Sequence, residues 1–378
     1  MKRDKLNLYV AALLIAALVF SLLTIYAFGE HKSGNFSVSG KSAVLYQPEI
    51  KDFIFSKNAD QRLPMASTTK IMTALVALEG SELDEIVEVD DSAIGVEGSS
   101  AYLRHGDLLT MEELLYALLL QSANDAAVAI ACHIGGSVEG FSALMNEKAA
   151  ELGLTDTHFT NPHGLDSEEH YTTARELSLI AAEALKNPTF RKIASTYKKT
   201  FASEERRRTY VNHNKLLRLY DGCVGVKTGF TKRSGRCLVG AAERDGLTFI
   251  TVTLDAPSDW SDHSRMLDYG FESLEKITLA GGFDHVYKIP LLDGEQDYLT
   301  VANPEGAEII TERAEHEICE QVRLVKYGIA PISRGEKLGE IIYTIDGREA
   351  ARVPLLATET VNKKKPKGFF DKILSIFD

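Results

Sequence analysis

Ser67-Thr68-Thr69-Lys70 sets a hydroxyl one helical turn before an amine. Residues three apart on a helix share a face, so Lys70 can reach the proton that Ser67 must lose to attack a carbonyl. Lysine is an ammonium in neutral water and serves as a base only where burial or a nearby positive charge lowers its pKa. Taken alone, S-x-x-K is commonplace and more often a helix surface pair. Two later groups, in chain order, make it chemical. Ser122-Ala123-Asn124 adds a second hydroxyl that can pass a proton to a leaving amine, and a side-chain amide to hold a substrate amide. Lys227-Thr228-Gly229 adds a cation able to depress Lys70, with a charge and a hydroxyl suited to a carboxylate. Gly229 would leave room for a peptide to lie along the strand as an added β-edge.

The surrounding residues say what must hold these parts. Residues 71–78 are almost all apolar and end at Gly80, the pattern of a buried helix and a rigid support for a reactive serine. A second helical stretch, 112–134, breaks at Gln121-Ser122-Ala123-Asn124-Asp125, with Thr110 and Glu113 as a capping box at its start. Further helices are expected over 141–152 and over 174–185, the latter ended by Asn187-Pro188. Short strands precede the serine at 42–46 and 52–56. After the helices come 225–231, 236–242 and 247–254, which read as antiparallel strands joined by Gly-containing turns, then a helix over 261–274. Helices clustered with an antiparallel sheet predict an α+β domain over 38–276. Residues 281–360 alternate like strands, with Asp346-Gly347 as a hairpin turn, and predict a small all-β sandwich. It holds no chemical constellation and reads as a spacer or interaction module.

A net charge of −12 over 378 residues argues against nucleic acid as a partner, which requires a basic footprint. The first five residues are net positive and 8–28 carry no ionisable side chain except Tyr9 and Tyr26, so 1–29 read as an export segment. Ala27 and Gly29 are spaced for cleavage after Gly29, yet the run is long enough to span a bilayer if uncut. At the other end, 361–378 form a basic linker and a short helix with Phe369, Phe370, Ile373, Leu374, Ile376 and Phe377 on one side. That pairing suits a surface of anionic lipid headgroups, with packing on the protein body as the alternative. The cysteines Cys132, Cys223, Cys237 and Cys319 fall in helix-like or strand-like runs, where free cysteine packs as a small apolar residue. None has a companion at metal-ligand spacing.

S-x-x-K with S-x-N and K-T-G is the joint signature of penicillin-binding proteins and class A β-lactamases. The wider text resembles the D-alanyl-D-alanine carboxypeptidases, low-molecular-mass penicillin-binding proteins that are serine peptidases. It includes Pro64-Met65-Ala66 before the serine, Tyr102-Leu103-Arg104-His105-Gly106-Asp107, Asn161-Pro162-His163-Gly164-Leu165-Asp166 and Asn212-His213-Asn214-Lys215-Leu216-Leu217. The likeness runs over about 38–276, and the β-rich domain and tail fit the family layout. It implies a penicillin-binding/β-lactamase-like fold and an exported, extracytoplasmic enzyme at the bacterial membrane. Such an enzyme removes the terminal D-alanine from peptidoglycan stem pentapeptides through an acyl-enzyme, and β-lactams trap it. No metal or organic cofactor is implied. Ser67 is then the acylated nucleophile, Lys70 the base, Ser122 with Asn124 the second motif, and Lys227 and Thr228 the carboxylate site. The oxyanion donors would be the backbone N–H groups of Ser67 and Phe230. Ala123 stands where the family often has glycine, Phe230 where it often has histidine, and His213 where some members carry an arginine near the carboxylate site. These departures bear on rate and subsite preference.

Two rival readings use the same parts. A β-lactamase needs an added carboxylate to activate water, and Asp166, Glu168 and Glu169 are the only acids in the 161–171 loop, without an E-x-x-L-N pattern. A penicillin-binding sensor without turnover needs a signalling partner across the membrane. His163 and His170 read as structural or loop residues, Arg206-Arg207-Arg208 as a solvated loop, and Trp260 as packing at a helix start.

Overall fold

The computed structural model describes residues 36–202 and 207–365. The chain divides into two compact units, one running to 270 and one taking 271 onward together with the turn 245–247.

In the first unit β1 (Ser42–Gln47) and β2 (Asp52–Lys57) form a hairpin. A single 3-10 turn over Ala66–Thr69 then runs into α1 (Lys70–Gly80). The expected helix through both motif residues is therefore two pieces, with Ser67 on the 3-10 turn and Lys70 opening the α-helix. Side chains at i and i+3 eclipse in a 3-10 turn, so the pair still meets. The apolar run makes α1 a central helix, with Ile71, Ala74 and Ala77 wholly buried.

The short strands β3 (Ile86–Glu88) and β4 (Leu108–Thr110) pair ahead of α2 (Met111–Leu120), whose N-cap Thr110 accepts from the Glu113 N–H at 3.2 Å. α3 (Asn124–Gly135), α4 (Val138–Glu151) and α5 (Ala174–Lys186) follow. Asn187-Pro188 does end α5 but at once begins α6 (Pro188–Ala194), with the Asn187 side chain as N-cap. β5 (Lys198–Ala202) pairs with β6 (Arg207–Val211), and α7 (Leu216–Leu219) is one turn. Within β6, Arg208 is not solvated. It is nearly buried and bonds Asp107 at 2.7 Å, with Glu113 3.6 Å away. Three consecutive arginines could not reveal acids brought from a hundred residues upstream.

β7 (Cys223–Thr231), β8 (Gly235–Arg244) and β9 (Leu247–Leu254) complete a five-stranded sheet in the order β2-β1-β9-β8-β7. The helix α8 (Asp259–Ser273) follows. β7, which carries the K-T-G motif, is thus an edge strand. It is antiparallel to β8, with Lys227 opposite Val239, Thr228 opposite Leu238, Gly229 opposite Cys237 and Phe230 opposite Arg236. Strand side chains alternate between faces. Lys227 and Gly229 share the face of Val239 and Cys237, which pack with the helices, while Thr228, Phe230 and Arg236 share the other.

The second unit is all-β. β10 (Leu274–Ala280) pairs with the later β13 (Ala307–Glu312). β11 (Val286–Leu292), β12 (Tyr298–Ala302), β14 (Ile318–Leu324), β15 (Gly328–Ile329), β16 (Lys337–Ile345) and β17 (Arg348–Ala357) form a six-stranded sheet in the order β14-β16-β17-β12-β11-β15. Its core gathers Leu299, Val301, Ile341 and Leu355. The turn from β16 to β17 uses Asp346 and Gly347, both at positive φ, as a two-residue hairpin requires. Cys319, expected to pack as an apolar residue, is exposed on the edge strand β14; all four cysteines are free.

The apolar segment 8–28 and the terminal helix expected over 368–378 lie outside the described residues. Among the described residues no single helix is long and apolar enough to cross a membrane. Nor is there among them a group of three or more side chains able to hold a metal ion.

Candidate active site

The 3-10 turn is forced into place from two sides. Ala66, just before the serine, sits at φ +47°, a left-handed conformation that costs energy for a residue with a Cβ. Gly164 lies against it so closely that a Cβ there would be 1.9 Å from the Ala66 carbonyl oxygen. From the other side comes Gly229, where a Cβ would be 2.9 Å from the Ser67 nitrogen and 3.1 Å from the Met65 carbonyl oxygen. The space freed by Gly229 is thus occupied by the Ser67 turn, which lets β7 approach it. His170 braces the turn from beneath. Its Nδ1 accepts from the Thr160 N–H at 3.1 Å, leaving Nε2 to donate to the Thr69 hydroxyl at 2.8 Å, which in turn donates to the Ala66 carbonyl. Burial holds His170 neutral, its pKa lowered to about 4.

Lys70 is wholly buried. Its Nζ lies 3.0 Å from Ser67 Oγ, 2.6 Å from Asn124 Oδ1 and 2.6 Å from the His163 carbonyl oxygen. The two carbonyl-type oxygens can only accept, so they take two N–H bonds. A neutral amine would then turn its lone pair toward Ser67. Burial pushes the Lys70 pKa well below its ordinary value, and the charge of Lys227 pushes it the same way against Asp125. The His163 side chain, its own pKa lowered to about 3 chiefly by burial, adds no positive charge at neutral pH.

Ser122 sits at φ +61° in the break between α2 and α3. Its Oγ accepts from Lys227 Nζ at 2.9 Å, and Lys227 also donates to the Thr228 carbonyl at 2.9 Å. Burial lowers the Lys227 pKa to about 7. Asn124 opens α3, and its Nδ2 donates to the Glu97 carbonyl, so its oxygen is turned to Lys70. Asp125 next to it accepts from Ser100 Oγ and the backbone N–H groups of Ala101 and Leu103, fixing that loop against the start of α3.

These groups open on one cleft of about 380 Å³. Ser67, Ser122, Thr228, Gly229 and Phe230 line it, while Lys70 and Asn124 lie behind Ser67. All eight sequence-derived site residues therefore meet at one place. The cleft also takes in Ser99, His213, Lys215, Arg236, Asp259 and Trp260, of which the family resemblance places only His213 near the site. No motif marks Arg236 or Asp259; Trp260, the single tryptophan, reads as packing until β8 and α8 are set side by side. Asp166, an acid of interest for a β-lactamase, is exposed and accepts from Thr231 Oγ1 at 3.0 Å. Glu168 and Glu169 are exposed too. The acid that does line the cleft, Asp259, is paired with Arg236.

The arrangement has known counterparts. The sequence model for D-alanyl-D-alanine carboxypeptidase matches residues 29–258, and that for the C-terminal domain of penicillin-binding protein 5 matches 275–363. D-alanyl-D-alanine carboxypeptidase DacF of Bacillus subtilis is 33% identical over 334 residues, covering 85% of this chain and 86% of that protein. DacC of Escherichia coli is 30% identical over 362 residues, covering 89% and 87%. The crystal structure of penicillin binding protein 5 from Haemophilus influenzae superimposes with a TM-score of 0.66 at 26% identity, covering 87% of this chain and 99% of that one. By a family match over most of its length and by a relative a third identical across most of both chains, the chain belongs to the D-alanyl-D-alanine carboxypeptidase family of serine peptidases.

Proposed function

We propose that Ser67 is the acylated nucleophile, Lys70 its base, and Ser122 the carrier that returns the proton to the leaving amine. The enzyme is a serine hydrolase, a D-Ala-D-Ala carboxypeptidase with the β-lactam sensitivity of a penicillin-binding protein. The observation that carries the residue roles is a pair of contact runs at the cleft, one from Ser67 through Lys70 to Asn124 and the other from Ser122 to Lys227.

The substrate peptide lies along β7, an edge strand with backbone groups to offer. Asn124 and the K-T-G residues hold it, and the free carboxylate is directed to Thr228. As Ser67 Oγ attacks the D-Ala-D-Ala carbonyl, its proton passes to Lys70, and the oxyanion accepts from the N–H groups of Ser67 and Phe230. The C–N bond then breaks, the amine of the departing D-alanine takes a proton by way of Ser122, and an ester to Ser67 remains. Water cleaves that ester with Lys70 again taking the proton, which frees the shortened peptide and restores the serine. A β-lactam follows the first half of this path and, with its leaving group still tethered, stays on the enzyme.

Incubation with penicillin should add one adduct by intact-mass spectrometry, absent in Ser67→Ala, and a stem pentapeptide should lose one D-alanine. A wild-type enzyme that stays unmodified and releases nothing rejects the assignment. Export through residues 1–29 and contact of 361–378 with the membrane surface complete the reading. Their support is the apolar run at one end and the basic, apolar-faced pattern at the other. Flotation of the full chain with anionic vesicles, and its loss on removal of 361–378, tests the second.

A further inference from the structure

The cleft has a second set of polar groups that the acylation machinery does not use. Arg236 rises from β8 directly opposite Phe230, on the same face of the sheet as Thr228. Its Nη2 donates to Asp259 Oδ2 at 2.8 Å. Asp259 is almost wholly buried, whereas the Arg236 side chain is 42% exposed and faces the cleft. The guanidinium lies 5.7 Å from the centre of the Trp260 ring, and Lys215 Nζ lies 6.0 Å from it. Arg236 Nε is buried without a hydrogen-bond partner. An arginine braced by a buried acid and an aromatic ring has little freedom left to lose on binding, and only part of its five-donor fork is engaged.

Lys227 and His213 serve an anion less well. Lys227 is buried, is committed to Ser122 and to the Thr228 carbonyl, and carries a pKa lowered to about 7. His213 is pushed below its ordinary pKa by burial and by Lys227, so it is neutral at physiological pH. Arg236 stays charged at every relevant pH, and Lys215 adds a second positive charge beside the same ring. We infer that the guanidinium of Arg236, braced by Asp259 and Trp260, reads the free carboxylate at the substrate's C-terminus beside Thr228. This rests on the acylation of Ser67 proposed above. It gives the chain a permanent cation for that carboxylate although position 213 is a histidine.

The test uses two thioesters that acylate the same serine: an acyl-D-alanyl thioglycolate with a free carboxylate, and its methyl ester, which has none. Thiol release gives kcat/KM for each, and the acid-to-ester ratio isolates carboxylate recognition. Arg236→Ala combined with Asp259→Asn, so that no buried acid is orphaned, should lower that ratio about 10- to 100-fold, mostly through KM for the acid. Arg236→Lys keeps a charge but loses the fork and should lower it by a smaller factor. A ratio unchanged in both variants, whether or not absolute rates fall, overturns the assignment. Failure of the wild-type enzyme to release thiol from either compound rejects Ser67 acylation, and this inference with it.

Discussion

Lys70 Nζ lies closer to the side-chain oxygen of Asn124, at 2.6 Å, than to the Ser67 hydroxyl, at 3.0 Å. A neutral oxygen there accepts an N–H without stabilising the ammonium as a carboxylate would. Asn124→Asp would put a full negative charge at that contact, which favours the protonated lysine. The pH at which penicillin acylation falls off should then move up by at least about one unit, with a slower rate at pH 7. Stopped-flow acylation across pH 5–9 measures it, and an unmoved limb would show that Lys70 is not the titrating base.

Lys70→Arg probes the same point from the other direction. Arginine cannot deprotonate in a protein, so acylation should drop by about 10²- to 10⁴-fold, the usual worth of a general base. Because burial lowers the Lys70 pKa, wild-type acylation should be lost as pH falls through that depressed value and regained above it. Acylation by the arginine variant at near wild-type rate would remove Lys70 from the mechanism.

At Gly229 the expected effect is on geometry. A methyl group would sit 2.9 Å from the Ser67 nitrogen and 3.1 Å from the Met65 carbonyl, backbone atoms that cannot swing aside. Gly229→Ala should part the strand from the serine turn, and a displacement of about 1 Å is worth about 10²-fold in rate. Crystal structures of the variant and its acylation rate together check this. A variant as fast as wild type would mean that the turn tolerates more play than the close approach indicates.

Acid should unfold the catalytic unit earlier than an ordinary domain. Burial lowers His163 to about 3, His170 to about 4 and His263 to about 3, against an ordinary 6.5. Each folded pKa lies below the unfolded one, so beneath pH 6.5 the unfolded chain binds more protons. Stability is therefore full above about pH 6.5 and falls as pH drops toward 4, by about 1.4 kcal/mol per unit for each histidine. His263 bonds Thr251 and Thr253 and does not line the cleft. His263→Gln should lower Tm at pH 7.5 yet flatten its decline between pH 6.5 and 4.5; an equally steep decline would place the acid sensitivity elsewhere.

Local pattern carried much of this molecule. Ser67 with Lys70, Ser122 with Asn124, and Lys227 with Thr228 are legible because each pair is set by spacing within a few consecutive residues, even where an element boundary falls between them. The strands around K-T-G and the hairpin at Asp346-Gly347 were legible for the same reason. What pattern could not show depends on distant partners. Arg208 looked solvated because Asp107 and Glu113 arrive from another part of the chain. Asn187-Pro188 ends one helix and caps the next, and the pair reads either way. Arg236 joins the cleft only through the register that sets it against Phe230 and the helix start that brings Asp259 beneath it. Gly229 was expected to make room for substrate, a reading that required knowing which side of β7 meets the serine.

The serine turn is clasped between Gly164, in a loop, and Gly229, on the last strand of the sheet. Neither contact exists until both distant segments are seated, and Ala66 holds its costly backbone beneath them. With Ser67 as the nucleophile proposed above, a half-assembled chain would carry it as an ordinary unreactive alcohol. Reactivity is thus a certificate of completed folding, and a fluorescent penicillin would count finished molecules while ignoring the rest.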